Sequence, residues 1–220
     1  MKYYKVAPAF NNANKRVASS ASGDKVLKGE EYYNILKDGE FHKEIPLLKH
    51  FFLESYDEKK YWDFQLNDIH NLIGKANTII GYYLSNDFKN ILEDFNIAPV
   101  FNFYETLLLY KEKELKYWLF QYGVNSFDNF NLPQSIFKIE NEEFIIKTQD
   151  EYWIKKREAR KVYTSKLLLK KLSINGNYDF FFNQINSDTV VSSNLKKIIE
   201  DANLKGFEFV QLDYEVVVSY

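Results

Sequence analysis

The chain of 220 residues contains no cysteine, only eight glycines and only four prolines. The absence of cysteine excludes a disulfide framework, a thiol nucleophile and a thiolate metal site, and it is typical of proteins of a reducing cytoplasm. Scarce glycine argues against a many-stranded barrel or sandwich built on tight glycine turns. No charged segment followed by an apolar one opens the sequence, and no apolar run approaches the ~20 residues of a membrane helix. We therefore expect neither an export signal nor a membrane anchor.

Neither sign of charge dominates the chain, whose net charge is -2 and whose isoelectric point is near 6.0. This balance gives no overall attraction to nucleic acid or anionic lipid, so binding of either would need a local patch. Aromatic residues make up 18% of the chain, and this usage indicates a substantial core and favours sheet. We expect an α+β protein, mainly antiparallel sheet with a few short amphipathic helices.

The clearest local pattern, over residues 190–209, predicts a strand, a capped helix, a stop and a second strand. Ser192 or Ser193 is placed to accept a hydrogen bond from the first free helical N–H groups. One helix face is apolar with spacing i, i+3, i+4 and i+7, formed by Leu195, Ile198, Ile199 and Ala202. Asn203 is predicted to end the helix in the left-handed conformation, with Leu204 closing back on Ile199.

An earlier segment repeats this pattern. Residues 84–97 align without a gap to residues 191–204 and are identical at six of fourteen positions. The apolar stripe recurs as Phe88, Ile91, Leu92 and Phe95, and the predicted stop recurs as Asn96, with Ile97 closing on Leu92. Amphipathic patterning alone forces part of this match, so duplication and chance similarity both remain open. In either case we expect two similar helices that cap two similar strands.

The domain organisation predicted from these patterns is two similar halves that form one continuous structural unit. The N-terminal half, 1–104, contains a long polar loop over 11–30, and the C-terminal half is 105–220. Lys2 and Lys5 in the opening stretch 2–6 favour an edge strand. Antiparallel hairpins are predicted over three regions, namely 99–122, 135–146 and 178–191.

Three stretches of the chain carry a resemblance to a known family. They are the aromatic strand at 116–120 with its following loop to 135–137, the aromatic strand at 178–182 before Val191-Ser192, and the capped helix with its Gly-Phe-x-Phe close over 194–209. The region from about Ile79 to Leu212 thereby resembles the bacterial immunity proteins of polymorphic toxin systems, of the Imm11 and Imm43 type. Asp128, after Phe127, represents the acidic residue that this family often shows after its central hairpin. The resemblance implies a cytoplasmic antitoxin that binds one cognate toxin domain and blocks its active site, without a reaction of its own.

Residues suited to catalysis are sparse. His42, His50 and His70 are too widely spaced for an H-x-x-x-H metal pair, and the chain has no G-x-S-x-G or glycine-rich phosphate motif. Asp68 and His70 could form an orienting pair in a pocket between the halves, which keeps a small-ligand protein or enzyme as an alternative function. A lone histidine near a carboxylate is more often a surface or capping residue. We expect no enzyme activity, no cofactor and no metal.

A basic segment at 155–163 combines cations with the neighbouring rings of Trp153 and Tyr163, which is typical of a nucleic-acid patch. Nucleic-acid binding through Lys155–Tyr163 is therefore a second alternative, although Glu158 interrupts the patch and the chain is acidic overall. Three Tyr-Trp pairs occur, at 61–62, 117–118 and 152–153. In a strand only one ring of each pair can face inward, so the other ring stays near the surface, where such rings anchor protein interfaces.

Acidic residues provide the predicted partner-binding site. The richest cluster consists of Glu140, Glu142, Glu143, Asp150 and Glu151. Toxins that cut nucleic acid carry basic substrate grooves, so an inhibitor of such a toxin needs acidic groups at the contact. We therefore expect these five residues to contact the cognate toxin.

Overall fold

The computed structural model describes residues 1–9, 11–12, 15–18, 20–43, 45–54, 63–123, 127–162 and 165–219, and it confirms the predicted α+β class. The helices are α1 (Gly29–Leu36), α2 (Asn86–Glu93), α3 (Gln149–Lys161) and α4 (Ser193–Asp201). Single 3-10 turns lie at Lys37–Gly39, Gly74–Thr78 and Leu132–Gln134. The strands are β1 (Tyr3–Pro8), β2 (Asn11–Asn12), β3 (Lys15–Ala18), β4 (Ser20–Ser22), β5 (Leu48–Glu54), β6 (Asp63–Phe64), β7 (Ile69–Ile73), β8 (Gly81–Ser85), β9 (Phe101–Tyr110), β10 (Lys113–Tyr122), β11 (Ile136–Ile139), β12 (Glu142–Phe144), β13 (Leu168–Ile174), β14 (Phe180–Asn183), β15 (Asp188–Ser192), β16 (Phe207–Gln211) and β17 (Glu215–Val218).

A closed barrel forms from β10, β8, β7, β4, β5 and β9 in that order. Its interior is apolar and aromatic, with Tyr83, Leu108 and Leu119 fully buried. Scarce glycine argues only against a barrel built on tight glycine turns, and this six-stranded barrel differs because its longest hairpin turns without glycine. Lys111 and Glu112 adopt positive φ angles of 49° and 65° between β9 and β10.

A second sheet has the order β14-β15-β1-β16, with all its pairs antiparallel. β1 had been predicted as an edge strand because of its lysines, and this prediction was wrong. β1 lies inside the sheet, paired with β15 on one side and with β16 on the other. The charge of Lys5 is accommodated there by Asp188, at 2.5 Å between Nζ and Oδ1. The predicted end of this strand near Pro8 is confirmed.

The remaining strands form a sheet of order β12-β11-β13-β17 and a small sheet of order β2-β3-β6. The segment 11–30 was expected as one long polar loop, and the structure differs. It contains β2, β3, β4 and the first residues of α1, because backbone pairing with distant strands outweighs its polar composition: β3 pairs with β6, and β4 pairs with β5 and β7. Residue 104, where the two predicted halves meet, lies inside β9, and the division into halves stays a prediction.

Two parts of the fold share one plan. We name β7, β8, α2, β9 and β10 the barrel module, and β14, β15, α4, β16 and β1 the terminal module. The sheet order of the first is β7-β8-β10-β9 and that of the second is β14-β15-β1-β16, and every pair in both is antiparallel. In the barrel module β10 follows β9 directly along the chain. Its counterpart in the terminal module is β1, which comes from the other end of the chain. Similarity between the two helices therefore extends to the sheets below them.

The two helices begin in the same way. The Ser85 hydroxyl accepts a hydrogen bond from the Phe88 N–H at 3.2 Å, and the Ser192 hydroxyl accepts one from the Leu195 N–H at 3.2 Å. Each serine is thus an N-cap of the predicted kind. The helices end differently, since Asn203 has a positive φ of 54° and Leu204 N–H bonds to the carbonyl of Ile199, which confirms the predicted stop. Asn96 does not adopt a positive φ, so the equivalent prediction there was wrong.

Two aspartates fasten each module to the other. The Asp68 carboxylate accepts hydrogen bonds from the hydroxyl of Ser85 at 2.6 Å and from the N–H of Lys205, beyond α4, at 2.6 Å. Asp179 repeats this arrangement with the hydroxyl of Ser192 at 2.5 Å and with the N–H of Asn96, beyond α2, at 3.3 Å. Each aspartate therefore supports the cap of its own helix and holds the chain that leaves the other helix.

Candidate partner-binding surfaces

Helix α3 begins with a variant of the capping box, in which the glutamate reaches the N–H of the residue before the N-cap. The Thr148 hydroxyl accepts a hydrogen bond from the Glu151 N–H at 3.1 Å, and the Glu151 carboxylate accepts one from the Lys147 N–H at 2.7 Å. Only Tyr152 and Ala159 of this helix are buried, two residues separated by two turns. The helix therefore contacts the core through a narrow stripe and presents most of its surface to solvent.

The five predicted acidic residues lie in the turn between β11 and β12, in β12 itself and in the first turn of α3. Glu140 has a positive φ of 51° at the turn before β12, and Glu142 and Glu143 are exposed on β12. Asp150 is exposed in the first turn of α3, whereas Glu151 is half-buried in the capping box. The predicted hairpin around this acidic turn is confirmed. Four of the five carboxylates thus face solvent, and Glu151 also has a structural role.

Large apolar side chains accompany these carboxylates at the surface. Trp153 is 44% exposed and Ile154 is 55% exposed on α3, and Ile145, just beyond β12, is 53% exposed. The Trp153 ring contacts that of Phe127, with centroids 6.1 Å apart, and this contact helps to fix the orientation of Trp153. Exposed tryptophan and isoleucine beside carboxylates form the kind of surface that anchors a protein partner.

The Tyr-Trp pairs at 117–118 and 152–153 each place one ring inward, as predicted. Tyr117 is 5% exposed and Trp118 is half-buried, with its indole N–H donating to the Asn86 side-chain oxygen at 3.1 Å. Tyr152 is 1% exposed, although its pair lies in a helix rather than a strand. The pair at 61–62 lies outside the described residues.

Asp68 and His70, the predicted orienting pair, have structural contacts. The Asp68 carboxylate is occupied by the hydrogen bonds from Ser85 and Lys205. His70 is fully buried, its Nε2 accepts a hydrogen bond from the Asn67 N–H at 3.2 Å, and its ring lies 6.0 Å from that of Tyr117. Asp68 therefore supports a helix cap, and His70 forms part of the barrel wall.

Burial raises the pKa of several tyrosines in both modules. The pKa of Tyr3 rises to about 12, chiefly through loss of solvent and further through the nearby Asp179 carboxylate. The pKa of Tyr117 is also raised, first by burial and then by Asp68 and Asp87. Because both groups are neutral below their raised pKa values, they act as core residues at ordinary pH.

A groove of about 860 Å³ lies between α3, the segment before β13, and the β1-β16 edge of the second sheet. Four cations line it, namely Lys5, Lys156, Arg160 and Lys166. Sequence reasoning missed this groove because its cations come from two distant parts of the chain, β1 and residues 156–166. The only signal in the sequence was the basic run on α3.

The alternative nucleic-acid patch is divided by the fold. Within it, Lys156 and Arg160 line the groove, whereas Lys155 pairs with Glu158 at 2.8 Å between Nζ and Oε2. Tyr163, the ring at the end of this patch, lies outside the described residues. Trp153, the other predicted stacking ring, does not line the groove.

Within the described ranges, no helix combines the length and apolar character needed to cross a membrane. A search of curated proteins found no match to the chain. The model of the immunity protein family (Imm11) matches residues 2–214, which extends the resemblance through β1 and the barrel strands before Ile79. Because this match covers nearly the whole sequence, the chain belongs to the immunity protein family (Imm11).

Proposed function

We propose that this protein is an antitoxin that binds one cognate bacterial toxin domain in the cytoplasm and blocks its active site. The match of residues 2–214 to an immunity protein family carries this proposal. The absence of cysteine agrees with work in a reducing compartment. Inhibition by occupation of a surface requires no catalytic group on the inhibitor.

The contact surface that we propose for the toxin is the exposed acidic region at β12 and the start of α3. Glu142, Glu143 and Asp150 supply charge there, and Trp153 and Ile154 supply apolar anchors. Toxins that act on nucleic acid need a cationic groove, and carboxylates placed over such a groove compete with the substrate phosphates. The rings and aliphatic groups then provide the desolvated centre that most protein interfaces need.

The test is inhibition of the toxin domain encoded next to the gene for this chain. Expression of that domain alone should arrest growth of a bacterial host, and co-expression of the immunity protein should restore growth. Purified partners should form a stable complex by calorimetry. Growth arrest that persists with the chain present, together with no detectable complex, would refute the proposed function.

The acidic surface is tested by a variant with charge reversal at Glu140, Glu142, Glu143 and Asp150, leaving the capping residue Glu151 in place. Affinity should fall about a hundredfold or more, since each reversal replaces attraction by repulsion at the contact. The matched control reverses four exposed carboxylates elsewhere, at Glu40, Asp94, Glu112 and Glu114. Equal affinity of the two variants would remove the acidic surface from the interface.

A further inference from the structure

The groove beside α3 occupies a position that is closed in the other module. Lys5 of β1 pairs with Val210 of β16, and the same register in the barrel module pairs Leu119 of β10 with Tyr104 of β9. Leu119 is 0% and Tyr104 6% exposed inside the barrel. The Lys5 side chain is 45% exposed and Val210 is 46% exposed, and both line the groove. The pair of positions that is packed inside the barrel is thus exposed in the terminal module, where it lines an open, charged groove.

The groove carries an excess of positive charge in a chain that is acidic overall. Its cations are Lys5, Lys156, Arg160 and Lys166, and its carboxylates are Asp188 and Asp213. Lys5 is paired with Asp188, whereas Lys156, Arg160 and Lys166 form no ion pair within the described part of the chain. Three cations without a described ion pair therefore line the groove, and one of them, Lys156, also lies 5.0 Å from the Trp153 ring centroid.

The lining chemistry favours an acidic peptide segment over nucleic acid. Leu167, Leu168, Ile185 and Val210 supply aliphatic surface between the cations, and none of the described residues that line the groove is aromatic. Single-stranded nucleic acid is held by stacking of bases on aromatic rings, which the described lining of this groove does not offer. The two carboxylates would also repel a continuous row of phosphates, whereas a peptide offers separate carboxylates, aliphatic side chains and backbone N–H donors.

We propose that the groove binds an acidic, partly aliphatic segment of the toxin protein, an assignment that rests on the proposed function. The segment lies across Lys5 and Val210 and places its carboxylates against Lys156, Arg160 and Lys166. The antitoxin then has two contacts of opposite charge, the acidic surface at β12 and α3 and this basic groove. A toxin with both a cationic active site and an acidic segment is recognised more specifically than by either contact alone.

The first experiment tests the chemistry of the groove without the toxin. The probe is a short fluorescein-labelled peptide in which Glu and Leu alternate, compared by anisotropy with the same peptide carrying Gln in place of Glu and with a short single-stranded DNA. The Glu peptide should bind, the Gln peptide should not, and added salt should weaken binding. Equal binding of the two peptides, no binding of the Glu peptide, or preferential binding of the DNA would each overturn the proposal.

The variant for this experiment is the triple substitution Lys156→Glu, Arg160→Glu and Lys166→Glu, which should reduce affinity for the Glu peptide about tenfold or more. The control triple substitution reverses charge at the exposed barrel-side lysines Lys43, Lys49 and Lys113 and should leave affinity unchanged. Thermal melting of both variants verifies that they fold. Equal loss in both variants would show general electrostatics rather than a groove.

The second experiment applies the same variants to the toxin domain. Affinity should fall about tenfold or more for the groove variant and stay at the wild-type value for the control. Loss of peptide binding without loss of toxin binding would overturn the toxin segment as the occupant. A wild-type chain that binds the Glu peptide but not the toxin would refute the proposed function while leaving the preference of the groove for acidic peptides established.

Discussion

The barrel module and the terminal module share a strand order, serine-capped helices and even local charge contacts. Lys89 lies 4.7 Å from the Trp118 ring centroid and 6.0 Å from that of Phe103, and Lys196 repeats this with Tyr4 at 5.5 Å and Phe209 at 5.1 Å. These contacts lie on the helix-covered face of each sheet. The opposite faces differ in one part, because the first is closed by β4 and β5 into a barrel, whereas the second is open beside α3 at Lys5 and Val210.

The difference indicates which positions of the shared sheet plan are fixed by packing and which can accept a different side chain. Phe88 of α2 packs edge-on against Phe180 of β14 and Phe207 of β16, so the helix-covered faces of the two modules share one core. A change there affects both modules. The opposite face of the terminal module is packed at Tyr3, Phe181 and Val190, but it is open at Lys5, where a lysine stands at the position of a buried leucine.

The test with the largest expected effect exchanges the equivalent residues Leu119 of β10 and Lys5 of β1. Leu119→Lys places an ammonium group without a partner inside the barrel and should cost about 3–5 kcal/mol of unfolding free energy, as measured by urea denaturation. The reverse exchange, Lys5→Leu, is made together with Asp188→Asn, because the Asp188 side chain is only 9% exposed and would otherwise keep an unpaired charge, and this double variant should cost only about 1 kcal/mol. Similar losses in the two variants would show that the groove position is as constrained as the barrel core.

The second test breaks the two aspartate clamps separately. Asp68→Ala and Asp179→Ala each remove an acceptor for a serine hydroxyl and for a backbone N–H of the other module, and each should cost about 1.5–3 kcal/mol. Hydrogen exchange should show that each variant loosens the chain leaving the opposite helix, at Lys205 for Asp68→Ala and at Asn96 for Asp179→Ala. Loosening confined to the module that carries the substitution would contradict reciprocal fastening.

Local signals explain what the sequence could predict. The helix α4, its serine cap and its left-handed stop at Asn203 depend on neighbours within a few residues, and all were predicted. The hairpins β9-β10, β11-β12 and β14-β15 likewise follow from short turns between apolar runs. Asn96 was mispredicted because its position is decided by Asp179 and by the Asn177 carbonyl, both more than eighty residues away.

Non-local pairing explains what the sequence could not predict. Closure of the barrel depends on the parallel pairs β4-β7 and β5-β9, for which no turn signal exists. The interior place of β1 depends on strands near the other end of the chain. The acidic surface was visible as a run of carboxylates, whereas the groove depends on Lys5, Arg160 and Lys166 meeting in space.

The smallest expected difference concerns two equivalent tyrosines. Tyr3 and Tyr117 occupy the same register position, opposite Ser192 and Ser85. The Tyr117 hydroxyl donates to the Asn67 carbonyl at 2.7 Å, whereas the buried Tyr3 hydroxyl makes no hydrogen bond to the described part of the chain. Tyr117→Phe should therefore cost about 1 kcal/mol of unfolding free energy, and Tyr3→Phe should cost nothing or stabilise the fold.

Alkaline titration gives a second comparison of Tyr3 and Tyr117. The folded chain holds the Tyr3 proton up to a pKa of about 12, while the unfolded chain releases it near the ordinary value of 10.0, so stability falls as pH rises from 10.0 through about 12. Tyr3→Phe removes this one titration, and urea denaturation should show a shallower loss of stability over that interval than in the wild type. Tyr117→Phe should also flatten the decline, because burial raises the pKa of Tyr117 as well. An unchanged slope in Tyr3→Phe would mean that the Tyr3 hydroxyl is solvated in the folded protein. The two modules would then differ in their cores as well as in the groove of the terminal module.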